Sequence, residues 1–199
     1  MIELQSKILH IELNYLKEIY TMNANSVLIS YCEKYYGNEK CVLLEFPSAA
    51  KQNTIGIHEG ETIIQAFETA KKYRLPLVAK VTSAGMRITE GTLALMQMAR
   101  IASVIKQHSD NQLLYIAIID KYVLGGTSAS LVALADIIIA EKNSIYGFTG
   151  KKIIEKTFKQ KLPPDFQTSK FAMKHGMVDL IIDECEFNFI IETLLKLHR

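Results

Sequence analysis

The sequence lacks the features that mark several classes of protein. Its 199 residues include only three cysteines, Cys32, Cys41 and Cys185, and they form no CxxC pair. This spacing argues against a disulfide framework and against a zinc site, so we expect reduced thiols. The net charge is only +2, which is too small by itself to indicate a surface for nucleic acid.

No part of the sequence is both long and apolar enough to indicate a membrane span. The longest uncharged stretch, 122–135, is shorter than the ~18 residues that a span needs, and a Gly-Gly pair interrupts it. The amino-terminal residues MIELQSKILHIEL carry charges where a signal peptide has an unbroken apolar segment. We therefore expect a cytoplasmic protein with no membrane or nucleic-acid partner.

The composition is that of an ordinary globular protein, with 49% hydrophobic and 22% charged residues. A chain of this length is expected to fold as one domain with a substantial core. In the first part of the chain, the pattern predicts a helix at 9–20, a hairpin with strands at 26–36 and 40–46, and a loop at 47–60.

From residue 60 onward, predicted strands alternate with predicted helices. The strands are expected at 76–85, 113–119, 136–141 and 144–148, and the helices at 61–73, 88–108, 126–135 and about 186–199. Because parallel strands are joined by helical crossovers, this order indicates the α/β class with a largely parallel sheet.

Three of the predicted helices have a recognisable apolar pattern. The helix at 61–73 places Ile63, Phe67 and Ala70 on one face, and the terminal helix carries a similar stripe. The helix at 88–108 is apolar on most sides, which predicts that it is buried. Its main stripe is expected at Leu95, Met98, Ala102 and Ile105, and that of the terminal helix at Phe187, Ile190, Ile191, Leu194 and Leu195.

Two strand-to-helix junctions are the strongest candidates for a functional site. They read VTSAGMRITEG (81–91) and DKYVLGGTSAS (120–130), and each has glycine where a strand ends and a helix begins. Backbone N–H groups at such junctions can point at an anion, and as oxyanion donors they stabilise a transition state by roughly 2.7–4 kcal/mol each. The spacing alone favours two tight turns, and the oxyanion interpretation stays open beside it.

Other kinds of site receive less support. Neither junction matches the phosphate-binding patterns GxxxxGK[ST] or GxGxxG, and no HxxxH pair suggests a metal. Ser128 and Ser130 could be nucleophiles, but no histidine is nominated as a base, so helix capping is favoured. Glu90 is read as a first-turn helix residue and Asp136 as the start of a strand, which leaves no carboxylate pair.

One long segment resembles a known family. LGGTSASLVALADIIIAEKNSIYGF resembles the crotonase superfamily, and SAGMRITEGTLALMQMARIASVI and KLPPDFQTSKF are similar to the carboxyltransferase beta subunit of bacterial acetyl-CoA carboxylase. The similarity runs almost continuously over 76–183. It implies a crotonase-like β-β-α spiral that spans 1–199 as a single domain, with the terminal helix at about 186–199 packing or pairing.

The resemblance also implies an activity. A carboxyl group would pass between carboxybiotin on a carrier protein and an acyl thioester, of CoA or of an acyl-carrier protein, to give a malonyl-CoA type of product. Two oxyanion holes would hold the enolate oxygens. The implied partners are an alpha-type subunit and the biotin carrier protein, an oligomer is expected, and neither a covalently bound cofactor nor zinc is expected.

The residues that carry this activity are assigned by position in the resemblance. Gly125 and Gly126 match the oxyanion glycine pair and are the expected catalytic residues. The expected substrate-binding residues are Ser83, Gly85, Arg87, Gly147 and Gly150. An enoyl-CoA hydratase would be expected to have a glutamate at the position of Ala129.

The chain departs from the family pattern at several places. These 199 residues contain neither of the two CxxC pairs of the family's amino-terminal zinc ribbon, and Ala84 replaces a glycine. In addition, 47–54 replaces a Gly- and Met-rich loop, and Gly150-Lys151 stands where the family has Gly-Pro. If position 84 requires a positive φ, alanine either strains the turn or changes it. Two alternative functions therefore stay open, a malonyl-thioester decarboxylase and a non-catalytic assembly subunit.

Overall fold

A computed structural model of the protein describes residues 29–47 and 53–199. The helix predicted at 9–20, the start of the first predicted strand and part of the predicted loop lie outside the described residues. Within them, no helix has both the length and the apolar character needed to cross a membrane.

The described residues form strands and helices that alternate over most of the chain. The strands are Ser30–Tyr36 (β1), Glu39–Glu45 (β2), Thr54–Ile55 (β3), Leu77–Ser83 (β4), Gly85–Met86 (β5), Tyr115–Val123 (β6), Ile137–Glu141 (β7), Ile145–Tyr146 (β8) and Leu180–Ile182 (β9). The helices are Ile57–Tyr73 (α1), Gly91–Asp110 (α2), Gly126–Ser130 (α3), Lys151–Phe158 (α4), Ser169–Lys174 (α5) and Phe187–Leu197 (α6).

A seven-stranded sheet organises the molecule, with the order β1-β2-β4-β6-β7-β9 and β8 paired to β6. β1 and β2 form an antiparallel hairpin, and all other neighbours in the sheet are parallel. A second, two-stranded sheet joins β3 to β5. The predicted hairpin, the α/β class and the largely parallel sheet are confirmed.

Helices cover both faces of the large sheet, because alternate residues of its central strands point to opposite sides. On one face, Ile63 and Phe67 of α1 pack with Ile101 of α2 over the strands. On the other face, Ile191 and Leu195 of α6 pack with strand residues of the opposite parity. The apolar stripes predicted for α1 and α6 therefore form the two cores.

The helix α2 differs from its prediction. Its buried residues are Ala94, Gln97, Ile101, Val104, Ile105 and His108, whereas Leu95 is 58% exposed and Met96 is 57% exposed. The prediction of a helix buried on most sides was wrong. Of the predicted stripe, Ile105 is buried and Met98 and Ala102 are half-buried, but Leu95 is exposed. The prediction considered only apolar residues, whereas the polar Gln97 takes a core position, where its side-chain amide donates to the Leu93 carbonyl over 3.0 Å.

The loop predicted at 47–60 was also wrong where the structure describes it. Thr54 and Ile55 form β3, and α1 begins at Ile57. Carboxylates explain the early start of this helix: Glu59 Oε2 accepts from the Gly56 N–H over 3.0 Å, and Glu90 Oε2 accepts from the Ile57 N–H over 2.6 Å. These bonds satisfy N–H groups that a helix start leaves free.

The helix predicted at 126–135 is shorter than expected. Only Gly126–Ser130 is α-helical, and a short 3₁₀ helix, Val132–Leu134, follows it. Asp136 then begins the approach to β7, where its Oδ2 accepts from the Tyr115 N–H over 2.8 Å. The interpretation of Asp136 as a structural residue at a strand start is thus confirmed.

Candidate functional site

The structure brings the two glycine junctions together. β4 and β6 are parallel neighbours, so the turns that follow them lie at the same edge of the sheet. A Cβ added to Gly85 would lie 3.3 Å from the Gly125 Cα, and one added to Gly125 would lie 3.2 Å from the Gly85 Cα. Both glycines have positive φ, +117° and +61°. The two turns therefore pack backbone against backbone.

Buried hydrogen bonds from Ser83 connect these turns. The Ser83 carbonyl accepts from the Leu124 N–H over 2.9 Å, and the Ser83 hydroxyl accepts from the Gly85 N–H over 3.1 Å. The same hydroxyl lies 2.8 Å from the Thr127 hydroxyl. Ser83 is fully buried, so it organises both turns from behind.

The two glycines of the second junction have different surroundings. The Gly125 N–H donates to the Phe148 carbonyl over 2.8 Å. Gly126 is the first residue of α3, where an N–H group has no partner within the helix. A Cβ on Gly126 would lie 2.6 Å from Met86 Cγ and 2.8 Å from Met98 Sδ. Thioether side chains therefore border the turn at Gly126.

The serines of α3 satisfy carbonyl groups of the same turn. The Ser128 hydroxyl donates to the Gly125 carbonyl over 2.7 Å, and the Ser130 hydroxyl donates to the Gly126 carbonyl over 2.8 Å. No side chain caps the start of α3. The predicted capping role was wrong in this respect, because both hydroxyls bond back to carbonyls three and four residues earlier.

Arg87 lies in a buried ion-pair network. Its guanidinium contacts Glu59 Oε1 at 2.6 Å and Glu90 Oε1 at 2.7 Å, and it donates to the Thr54 carbonyl over 3.0 Å. Burial acts to lower the pKa of Arg87, but the hydrogen bonds to Glu59 and Glu90 outweigh it, and the pKa is raised. The network ties the turn after β5 to the start of α1.

The chemistry of the site comes from its backbone. Fixed N–H donors in a partly dry turn can stabilise negative charge that develops on an oxygen. Within residues 29–47 and 53–199, no group of three or more His, Cys, Asp or Glu residues could hold a metal ion. The described cysteines, Cys32, Cys41 and Cys185, are all free thiols.

The sequence of the chain matches a described protein family, the carboxyl transferase domain, over residues 33–186. This is more than three quarters of the chain. The chain belongs to the carboxyl transferase domain family.

Other members of the family are clearly similar in sequence. The acetyl-coenzyme A carboxylase carboxyl transferase subunit beta of Clostridium novyi is 38% identical over 165 residues, which are 83% of this chain and 57% of that protein. The subunit beta of Desulforamulus reducens is 43% identical over 145 residues, which are 73% of this chain and 50% of that protein. The chain thus spans about half the length of these relatives.

Solved structures place the carboxyl transferase domain among known folds. Transcarboxylase 12S matches with a TM-score of 0.76 and 21% identity, over 84% of this chain and 33% of that chain. A Pseudomonas malonate decarboxylase hetero-dimer matches with a TM-score of 0.72 and 19% identity, over 87% and 81%. The crotonase-like fold class predicted from the sequence is confirmed.

The predicted site residues fall into two groups in this carboxyl transferase domain. Ser83, Gly85, Gly125 and Gly126 meet at the paired turns, as expected from their positions after β4 and β6. Arg87 is held away from them by carboxylates. Their assignment to catalysis and substrate binding stays a prediction.

Gly147 and Gly150 follow β8 and differ in their surroundings. The Gly147 N–H donates to the Val123 carbonyl over 3.1 Å, and a Cβ there would overlap the Gln167 side-chain amide. Gly150 precedes α4, and a Cβ there would meet nothing within 4 Å. Gly147 therefore supports the end of β6, whereas Gly150 borders open space.

The replacement at Ala84 leaves the first turn unstrained. Ala84 does not have a positive φ; Gly85 does. The Ala84 N–H donates to the Asn53 carbonyl over 2.8 Å, and its side chain is exposed. An alanine is accommodated here because its Cβ points away from the paired glycines.

The side chains that support the site were not among the residues predicted from the sequence. Glu59 is fully buried against Arg87, and Met86 and Met98 border Gly126. A signal for Glu59 was its position three residues after Gly56, where a side chain can reach back to a helix start. Asp120 was also missed, although it is a charged residue that directly follows the apolar run 113–119.

Proposed function

We propose that this chain is the beta-type half of a carboxyltransferase, which moves a carboxyl group between carboxybiotin and an acyl thioester to form a malonyl-CoA type of product. One observation carries the proposal: the backbone contact of Gly85 with Gly125 places the start of α3 beside the turn after β4. Family membership and the names of the relatives support it.

In this proposal, Gly126 supplies the donor of an oxyanion hole. The N–H of Gly125 is already bonded to the Phe148 carbonyl, so the role of Gly125 is conformational. Carboxybiotin would supply the carboxyl group and, after its release, a base for the acyl α-proton. The chain would hold the enolate oxygen at the Gly126 N–H while the new carbon–carbon bond forms, which lowers the barrier by electrostatic stabilisation.

The remaining predicted residues have supporting roles in the proposal. Ser83 and Gly85 fix the distance between the two turns through buried contacts. Arg87 holds the turn after β5 against α1 rather than binding a phosphate, because two carboxylates and a carbonyl occupy its guanidinium. Gly147 supports the end of β6, and Gly150 leaves room for the thioester at the start of α4.

The same proposal includes an alpha-type partner subunit, a biotin carrier protein and a larger oligomer, in the cytoplasm. The Clostridium tetani relative supports the partner, since its name joins subunits beta and alpha; it is 40% identical over 161 residues, or 28% of its length. Exposed apolar side chains near the start of α2 support a covering surface: Ile88 is 93% exposed and Leu95 is 58% exposed.

The test is a carboxyl-transfer assay. The chain is mixed with a candidate alpha-type partner, free biotin and malonyl-CoA, and the acetyl-CoA formed is measured. We expect turnover that requires both chains and biotin. A stable complex of the two chains without turnover would contradict the proposal and favour an assembly subunit. Loss of the malonyl carboxyl group without biotin would instead indicate a decarboxylase.

A Gly126→Trp variant gives the matched measurement of ligand binding. A Trp side chain would overlap Met86 and Met98 and displace them at the turn, so acyl-CoA titrated by calorimetry should bind to the unchanged chain and not to the variant. The same thermal unfolding temperature in both proteins, within a few degrees, would show that the site rather than the fold was lost.

A further inference from the structure

The pairing of β4 with β6 is irregular just before the glycine turns. Val81 pairs with Ile119, and Ser83 pairs with Val123. Between these pairs, β4 contributes one residue, Thr82, and β6 contributes three, 120–122. Such an insertion bends a strand and re-aims the residues that follow it.

The inserted segment is also where β6 changes its outer neighbour. Residues Ile116 to Ile119 pair with β7, whereas Tyr122 and Val123 pair with β8. The conformation of the segment 120–122 therefore determines the direction in which β6 leads into the Gly125 turn. Backbone pairing alone leaves this segment opposite a single residue of β4.

A side-chain hydrogen bond fixes the segment. The Thr82 hydroxyl donates to Asp120 Oδ2 over 2.9 Å, and both side chains are buried, with exposures of 1% and 5%. Hydrogen bonds to charged groups contribute about 1.5–3 kcal/mol, more than bonds between neutral groups. This bond joins the one residue of β4 to the first of the three residues of β6 that stand opposite it.

Lys80 also holds the Asp120 carboxylate, on the face of the sheet opposite Ser83, and it pairs with Glu141 as well. Lys80 Nζ lies 3.6 Å from Asp120 Oδ1 and 3.3 Å from Glu141 Oε1. Lys80, Asp120 and Glu141 lie on the neighbouring strands β4, β6 and β7. The carboxylate therefore has a cation on one oxygen and the Thr82 hydroxyl on the other.

We propose that Thr82 and Asp120 are positioning residues for the Gly125–Gly126 turn. Their hydrogen bond holds the lengthened part of β6 and thereby sets how the second turn meets Gly85. The kinetic consequence rests on the proposed function, whereas the structural consequence does not. Neither residue contacts the reacting atoms; both act through the backbone of β6.

The kinetic test compares Thr82→Val, which removes the hydroxyl, with Thr82→Ser, which keeps it. Both are assayed as full chains with the alpha-type partner. We expect Thr82→Val to lower kcat about 10- to 100-fold, because misplacing a catalytic group by about 1 Å has effects of that size. KM should change less than about threefold, since the oxyanion donor acts mainly in the transition state. Thr82→Ser should restore kcat.

Thr193→Val serves as the control, because it also removes a donating threonine hydroxyl, one that bonds to the Phe189 carbonyl within α6. It should leave kcat and KM unchanged. If Thr82→Val does not fold, Thr82→Ala removes the same hydroxyl and replaces it in the comparison. Equal losses of kcat in the Val and Ser variants would overturn the proposal, as would a change in KM alone.

A second readout separates this inference from the proposed function. The amides of Leu124 and Gly125 are hydrogen-bonded to Ser83 and Phe148, and their hydrogen exchange can be followed without any substrate. Exchange at both should be faster in Thr82→Val than in Thr82→Ser. Unchanged exchange would contradict the positioning role even in an active enzyme. Faster exchange in a chain that shows no transfer would leave the positioning role intact and contradict only the proposed function.

Discussion

Gly125 has a backbone conformation that almost any other residue would strain. Its φ of +61° and ψ of −145° lie in a region that is essentially restricted to glycine. In addition, the added Cβ would lie 3.2 Å from the Gly85 Cα. Conformation and packing therefore act together at this position, and the second effect also reaches the neighbouring turn.

The combined effect can be measured with Gly125→Ala, using Gly176→Ala as its control. Gly176 also has a positive φ, +68°, but an added Cβ there meets nothing within 4 Å. Gly176→Ala should lower the free energy of unfolding by about 1–2 kcal/mol through backbone strain alone. Gly125→Ala should lower it further and abolish carboxyl transfer. Equal unfolding curves for the two variants would contradict the close contact with Gly85.

Arg87 offers a second prediction at a single residue. Arg87→Met leaves Glu59 and Glu90 without their shared cation, and Glu59 is fully buried. Breaking a buried ion pair in this way lowers stability by about 3–5 kcal/mol. Arg100→Met breaks the exposed pair with Glu61 and should cost less than about 1 kcal/mol. Urea unfolding of both variants checks the difference, and a similar loss in both would refute it.

Among the elements, those with a clear apolar period were predictable. The stripes of α1 and α6 and the hairpin of β1 and β2 follow from local sequence. β3 and the early start of α1 were not predictable, because they depend on β5 and on the carboxylate of Glu90, which come about 30 residues later. Local patterns carry no information about such distant partners.

The site shows the same division. Glycine at both strand ends indicated that backbone donors would be present, and the resemblance indicated where. The sequence could not show that the Gly125 N–H is already bonded to Phe148, or that Met86 and Met98 border Gly126. These contacts join segments that meet only after the parallel sheet has formed.

A row of charged side chains on β4, β6 and β7, namely Lys80, Asp120 and Glu141, predicts that the stability of the protein depends on pH. Burial and, next, the neighbouring Asp120 raise the pKa of Glu141 from an ordinary value near 4.5 to about 7, while Lys80 acts to lower it. The folded protein therefore holds a proton that the unfolded chain has released. Stability from this group should fall as pH rises from about 4.5 to about 7, and stay lower above that.

Glu141→Gln tests this dependence. The charged groups that face the row are Lys80, Asp120 and Glu184, and they remain in the variant. The free energy of unfolding, measured by urea titration between pH 4.5 and 8, should decline less steeply in Glu141→Gln than in the unchanged chain. Parallel curves for the two proteins would show that Glu141 titrates normally in the folded state.

For the whole molecule, the two cores share one sheet. Residues of β4 and β6 contribute alternately to the core under α1 and α2 and to the core under α6. Neither core can be lost while the other keeps its strands in place. If 1–199 forms a single domain, as the sequence predicts, the protein should unfold in one cooperative transition.

Matched substitutions on the two faces test this prediction. Ile63→Val in α1 and Ile191→Val in α6 each remove one methylene from a fully buried side chain, and each should lower stability by about 0.5–1.5 kcal/mol. Both should shift the same single urea transition, followed by circular dichroism and tyrosine fluorescence. Ile88→Val, at a position 93% exposed, should shift it little. Two separable transitions would refute a single domain.

The contact between Gly85 and Gly125 also limits how the protein can vary over evolutionary time. Because each glycine makes room for the other's backbone, no change of side chain elsewhere can relieve a Cβ placed between them. A substitution at one position would force the turns apart, and a substitution at the other would add the strain of its own positive φ. The two glycines are therefore expected to be conserved together, whereas the neighbouring Ala84, whose side chain is exposed, can change to other residues.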